Sequence, residues 1–216
     1  MTFNSVYFAT LAEPLLNDAW LKKLHALPKS IVDHCLKFHQ PEDQKRRFLG
    51  YSLLKNYLIH HGFDQNELSQ ISYHKNKKPF FTNLPQIHFN LSYSKDLVVC
   101  AISDQPIGID IEKINQDINL DNYKSVFSEN MWKKIISSPT PIETFYQYWT
   151  QMEAVMKADG LGITGPIQQI VYDKTKITFN NIEREMTRLS IQEGYMAHVV
   201  GTNLANIKTE KVEISK

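Results

Sequence analysis

The chain has 216 residues, 42% of them hydrophobic and 22% charged, with a net charge of +1 at neutral pH. That balance, without a basic run interleaved with aromatics, excludes the electrostatic footprint of nucleic-acid binding, so no nucleic-acid partner is expected. The start Met1-Thr-Phe-Asn-Ser-Val-Tyr-Phe8 lacks the charged and apolar regions of a signal peptide, and no stretch approaches eighteen apolar residues, which predicts a cytoplasmic protein with no membrane partner.

In chain order, the pattern predicts a strand near Val6 to Leu11, a helix near Pro14 to Leu24 and a longer helix from about Pro41 to His60. Short strands follow near Ile71, near Phe80, over Ile87 to Leu91 and over the apolar run Leu97 to Ile102. Cys100 lies in that run, and Cys35 is the only other cysteine, so no disulfide framework is expected; the eight histidines form no compact ligand cluster. After the turn-like Ser103-Asp-Gln-Pro106 the pattern restarts with a strand at Ile107 to Ile111, an irregular region from Asn115 to Ser138 and a helix from Pro141 to Asp159. Strands near Gln168 to Tyr172, Lys176 to Phe179, Arg188 to Gln192 and Tyr195 to Val200 complete it, and the tail Asn206 to Lys216 reads as frayed. The class is α+β. Two lobes, residues 1–105 and 106–216, each place a long helix on a small, mostly antiparallel sheet, with a ligand site expected where they meet.

Two segments carry chemistry. In Ile107-Gly-Ile-Asp-Ile-Glu112 the alternation puts three isoleucines on one strand face and Gly108, Asp110 and Glu112 on the other. Same-face neighbours on a strand stand about 7 Å apart, so both carboxylates can serve one hard cation such as Mg²⁺, while Gly108 leaves room for a ligand to approach. The competing reading is an edge strand with solvated acids. On the second helix, Thr140-Pro-Ile-Glu143 has capping-box spacing and Gly160 suits the end, while Tyr146, Trp149, Glu153 and Lys157 share one face. Alone, Glu153 and Lys157 could equally be a surface ion pair.

Taken together, His88-Phe-Asn-Leu-Ser-Tyr-Ser94, Gly108-Ile-Asp-Ile-Glu112 and Trp149-Thr-Gln-Met-Glu-Ala-Val-Met-Lys-Ala-Asp-Gly160 resemble the signature blocks of the 4′-phosphopantetheinyl transferases, in their two-lobed Sfp-type group. The resemblance extends to Arg46-Arg-Phe-Leu-Gly50 and Lys78-Pro79 and spans roughly residues 40 to 165. It implies a pseudo-twofold arrangement of the lobes. It also implies Mg²⁺-dependent transfer of the phosphopantetheine arm of coenzyme A to a serine of an apo acyl or peptidyl carrier protein, releasing adenosine 3′,5′-bisphosphate. Under this resemblance Asp110, Glu112 and Glu153 hold the metal, Glu153 is the base, and Lys157 meets the phosphates. Arg46, Lys78, Ser92 and Tyr93 fall at nucleotide-contacting positions. The implied partners are coenzyme A and a carrier protein of fatty-acid, polyketide or nonribosomal peptide synthesis, met by a monomer, with Tyr123, Val126, Phe127 and Trp132 as apolar docking candidates or ordinary core.

Three positions depart from the family pattern. Met152 stands where a lysine is common, Tyr93 where a histidine is common, and Met131 at a third acid position, with Glu129 two residues early. These departures keep open a second reading, a non-catalytic homologue that binds coenzyme A or a carrier protein.

Overall fold

The structure, a computed structural model, describes residues 4–11, 19–160 and 167–214. The first sheet has the order β11-β1-β5-β4, built from β1 (Asn4–Thr10), β4 (His88–Ser94), β5 (Leu97–Ser103) and β11 (Lys208–Lys211). A second has the order β6-β10-β9-β8-β7, from β6 (Gly108–Lys113), β7 (Val171–Asp173), β8 (Lys176–Phe179), β9 (Ile182–Arg188) and β10 (Tyr195–Gly201). β2 (Ile71–Tyr73) and β3 (Pro79–Phe81) form a separate ribbon.

Pairing repeats where residues do not: β1 is antiparallel to β5 and β5 to β4, just as β6 is antiparallel to β10 and β10 to β9. Each sheet carries one long helix, α3 (Pro41–His60) and α5 (Pro141–Asp159). Both begin with proline at the first position, where its missing N–H is harmless, and carry acid in the first turn to suit the helix dipole. α1 (Ala19–Leu24), α2 (Lys29–Leu36) and α4 (Glu129–Ile136) complete the helices named here.

Several sequence expectations need correction. Of the helix expected from Pro14, residues 14–18 lie outside the described residues, and α2 was not anticipated. The strand expected at Arg188 to Gln192 instead ends at Arg188, because Asn180 and Asn181 both adopt positive φ (49° and 59°). That two-residue turn pairs Phe179 with Ile182 and starts the return strand at once. Thr140 makes no side-chain cap; the Ser138 hydroxyl accepts from the Thr140 N–H at 3.2 Å and from the Thr144 hydroxyl at 2.7 Å. Gly160 closes α5 as expected, at φ 81°. The tail is not frayed through residue 212: β11 runs parallel to β1, and Val212 is buried with its N–H on the Phe8 carbonyl at 2.8 Å. Residues 208–212 therefore lie on the first sheet.

The two sheets share a core. Leu97, Val99 and Ala101 of β5 and Ile107, Ile109 and Ile111 on either side of the sheet junction are all fully buried in one apolar cluster, as the alternation of the isoleucines predicts. With these side chains inward, the opposite face of β6 presents Gly108, Asp110 and Glu112 to α5 and β4. Among the described residues no helix is long and apolar enough to cross a membrane.

Candidate active site

The site forms along the seam between β4 and β6. β6 is an edge strand, and its outward N–H groups would be orphaned without partners. Side chains of β4 supply them: Asn90 Oδ1 accepts from the Ile109 N–H at 2.9 Å, Ser92 Oγ from Ile111 at 3.4 Å, and Ser94 Oγ from Lys113 at 2.9 Å. The same hydroxyls then donate to the acids, Ser92 to Asp110 Oδ1 at 2.9 Å and Ser94 to Glu112 Oε2 at 2.8 Å. The Asn-x-Ser-x-Ser alternation thus joins the sheets and aims both carboxylates.

Lys157 reaches across from α5 to Asp110 Oδ1 at 2.6 Å and Ser92 Oγ at 3.0 Å. Ser92 now donates its one proton and accepts twice, leaving it no free capacity for a nucleotide. Its hydroxyl here orients Asp110 and satisfies the Ile111 N–H. Lys157 has three donors and uses two of them among the described residues.

Asp110 and Glu153 are 3% and 7% exposed, and Asp110 Oδ2 and Glu153 Oε1 are buried without a hydrogen-bond partner among the described residues. Burial, with Asp110 adding and Lys157 opposing, raises the Glu153 carboxyl above its ordinary range. Glu112 is pushed up to about 7, by burial first and the Asp110 charge second, against the Ser94 hydrogen bond. Two unpartnered buried carboxylate oxygens suit a hard dication, which removes the desolvation penalty each carries alone. Among the described residues, however, no group of three His, Cys, Asp or Glu side chains stands ready as a metal cluster. One oxygen each of Asp110 and Glu112 is held by Lys157 and the β4 serines. The donor set fits Mg²⁺, which takes one or two carboxylates with waters and substrate phosphates.

Beside the acids lies a cavity of about 410 Å³ whose wall includes Arg47, Lys77, Lys78 and Lys157 and no Asp or Glu. The wall is cationic, with Lys157 alone among the four paired to a carboxylate, that of Asp110. Lys78 is more constrained than expected: its ammonium donates to the carbonyls of Ala158 at 2.8 Å and Ile107 at 3.3 Å, tying the end of α5 to the start of β6. Burial, helped by Arg184 and opposed by Asp159, draws it down to about 8. Arg46 is turned to Asp43 and to the Lys95 carbonyl. Sequence reasoning passed over its neighbour Arg47, which does line the cavity.

Tyr93 also lines the cavity, but its hydroxyl is packed on α3, 2.9 Å from where a Cβ on Gly50 would stand, rather than free to meet a phosphate. Met152 is fully buried among apolar side chains, so the departure there removes no cation from the site. Glu129 is exposed in the first turn of α4. Phe127 and Trp132 are buried against Phe145 and Tyr146, and Tyr123 packs on Phe145 and Trp149. Phe127 and Trp132 are therefore core, while Tyr123 and Val126 are half-buried at its edge.

A family profile described as "4'-phosphopantetheinyl transferase superfamily" matches residues 106–202. Among curated proteins, the chain is 33% identical over 165 residues to "4'-phosphopantetheinyl transferase Sfp" of Bacillus subtilis (strain 168), covering 75% of this chain and 73% of that protein. It is 30% identical over 193 residues to "4'-phosphopantetheinyl transferase gsp" of Aneurinibacillus migulanus, covering 84% and 79%. The profile spans the acids, α5 and β10, and the relatives extend the match over most of the chain, so the chain belongs to the Sfp-type 4′-phosphopantetheinyl transferases.

Proposed function

We propose that this enzyme transfers the phosphopantetheine arm of coenzyme A to a serine of an apo acyl or peptidyl carrier protein, in the cleft between the lobes 1–105 and 106–216, the final strand excepted. The observation that carries this reading is the four-cation cavity opening beside buried acids through one shared residue, Lys157. A diphosphate needs the cations, and a hydroxyl nucleophile needs a base at the edge of the same space.

The serine oxygen attacks the phosphorus that bears the pantetheine arm. The new O–P bond forms as the bridging O–P bond breaks, and adenosine 3′,5′-bisphosphate departs. Glu153 Oε1, without a partner, takes the serine proton. Lys157 offers its unused N–H to a phosphate oxygen as a point charge. Ser92 and Ser94 hold Asp110 and Glu112 in place. Asp110, Glu112 and Glu153 would hold Mg²⁺, which when bound neutralises charge on the diphosphate.

The test is intact mass spectrometry of apo acyl and peptidyl carrier proteins incubated with the enzyme, coenzyme A and Mg²⁺. A mass gain equal to phosphopantetheine, absent with EDTA, is expected. No gain on any carrier, with coenzyme A still bound, would establish the non-catalytic binder instead.

The acid group also sets a pH dependence. The folded-state pKa of Glu112, about 7, exceeds its ordinary value of 4.5. Between those values the metal-free folded protein holds a proton that the unfolded chain has lost, so this group's contribution to stability falls as pH rises through the window. Cation binding needs the carboxylate ionised and competes with that proton below about pH 7. The rise in melting temperature on adding Mg²⁺ to EDTA-treated protein should therefore be larger at pH 8 than at pH 6. Equal rises at both would remove Glu112 from the metal set.

A further inference from the structure

We propose that Arg47, rather than Arg46, is the α3 arginine that binds a phosphate of coenzyme A; this rests on the transferase reading above. Adjacent residues on a helix point about 100° apart, so only one of the two can face the cavity. Arg46 is ion-paired with Asp43 and bonded to the Lys95 carbonyl, and it does not line the cavity. Arg47 lies on the same helix face as Gly50 and Tyr51, and both Arg47 and Tyr51 line the 410 Å³ cavity.

The Arg47 guanidinium is held between two rings, its central carbon 4.5 Å from the centre of Phe38 and 4.3 Å from that of Tyr93. Stacking uses the faces of the guanidinium, and beyond a hydrogen bond to the Tyr93 hydroxyl its edge donors face no acid. Among the described residues Arg47 makes no ion pair, and its polar neighbour is the neutral Tyr93 hydroxyl. A planar five-donor cation, pre-ordered by aromatics and facing a space walled by Lys77, Lys78 and Lys157 without an acid, is built for a divalent oxyanion. Tyr93 acts as the platform that orients this arginine. Gly50 makes that possible, because a Cβ there would meet the Tyr93 hydroxyl at 2.9 Å and ring carbon at 3.0 Å.

The experiment is calorimetric titration of coenzyme A, in Mg²⁺, into the full-length enzyme and its Arg47→Gln, Arg47→Lys and Arg46→Gln variants, with thermal melts of each. Arg47→Gln should weaken binding about ten- to a hundredfold, the equivalent of one charge-assisted hydrogen bond. Arg47→Lys, which keeps the charge and loses the fork, should recover part of that. Wild-type affinity in Arg47→Gln, or a loss confined to Arg46→Gln, overturns the assignment. Repeating the titration with 3′-dephospho-coenzyme A locates the contact: a penalty that vanishes puts Arg47 on the 3′-phosphate, one that persists puts it on the diphosphate, and either supports the proposal. If the wild-type enzyme binds no coenzyme A, the transferase reading fails and this inference with it.

Discussion

Glu153→Gln is expected to lower kcat for carrier modification about 10²- to 10⁴-fold, the usual worth of a positioned base, while coenzyme A affinity measured without Mg²⁺ stays within a few-fold. Glutamine fills the same volume at a position only 7% exposed, so packing on α5 survives and the loss belongs to the carboxylate's roles as base and metal ligand. The same change should raise the melting temperature of the metal-free protein. Glu153 Oε1 is buried with no partner, and its carboxyl is raised by burial, both signs of a group held at a cost to stability. A slower but more heat-resistant variant is the pattern of a site whose strain serves activity. Single-turnover mass spectrometry and differential scanning calorimetry read the two effects. A variant retaining more than about a tenth of wild-type kcat would take the base role away from Glu153.

Much of the fold was legible because periodicity reports burial. The fully buried β5, the isoleucine alternation of β6 and the Pro141 to Asp159 helix all sit where their patterns place them. What stayed hidden depended on contacts between distant segments. The Asn180-Asn181 turn carried a local signal that was overlooked, whereas β11 joins β1 across nearly the whole chain and has four exposed residues, with no apolar pattern to betray it.

The site divides the same way. Asp110, Glu112, Glu153 and Lys157 were nameable from spacing and resemblance, and the structure gathers them along one seam. Asn90 and Ser94 were missed, although polar residues recurring every second position in a strand beside buried ones were a usable hint. The departures that suggested a weakened site now weigh less. Met152 belongs to the core, and the cavity wall that holds Tyr93 gains a cation in Arg47. Apolar character at Met152 could not by itself tell a lost phosphate ligand from a core residue, since that depends on which way α5 is rolled.

Gly108→Ala should be the most damaging small substitution outside the chemical groups. The sequence suggested that this glycine admits a ligand, but what occupies the space is α5 itself. A Cβ at Gly108 would stand 2.1 Å from the Ala154 carbonyl oxygen and 2.3 Å from the Ala158 nitrogen. Both obstructing atoms are backbone, so no side-chain trimming on α5 relieves the clash, and the helix must move by about 1 Å or β6 must bend. Overpacking of this kind costs about 3 kcal/mol at the upper end of the usual range, which for a chain of this size corresponds to a melting temperature lower by about 6 to 12 °C. The damage reaches the chemistry because Glu153 and Lys157 flank the displaced residues. The 2.6 Å contact of Lys157 with Asp110 and the Lys78 tie from Ala158 to Ile107 both span the same gap. A misplacement of about 1 Å can cost about 10²-fold in rate, so kcat/KM should fall by that order in whatever fraction remains folded. Calorimetry and carrier-modification kinetics on Gly108→Ala test this. Wild-type melting and turnover would mean that α5 is not seated on β6 as closely as the structure has it.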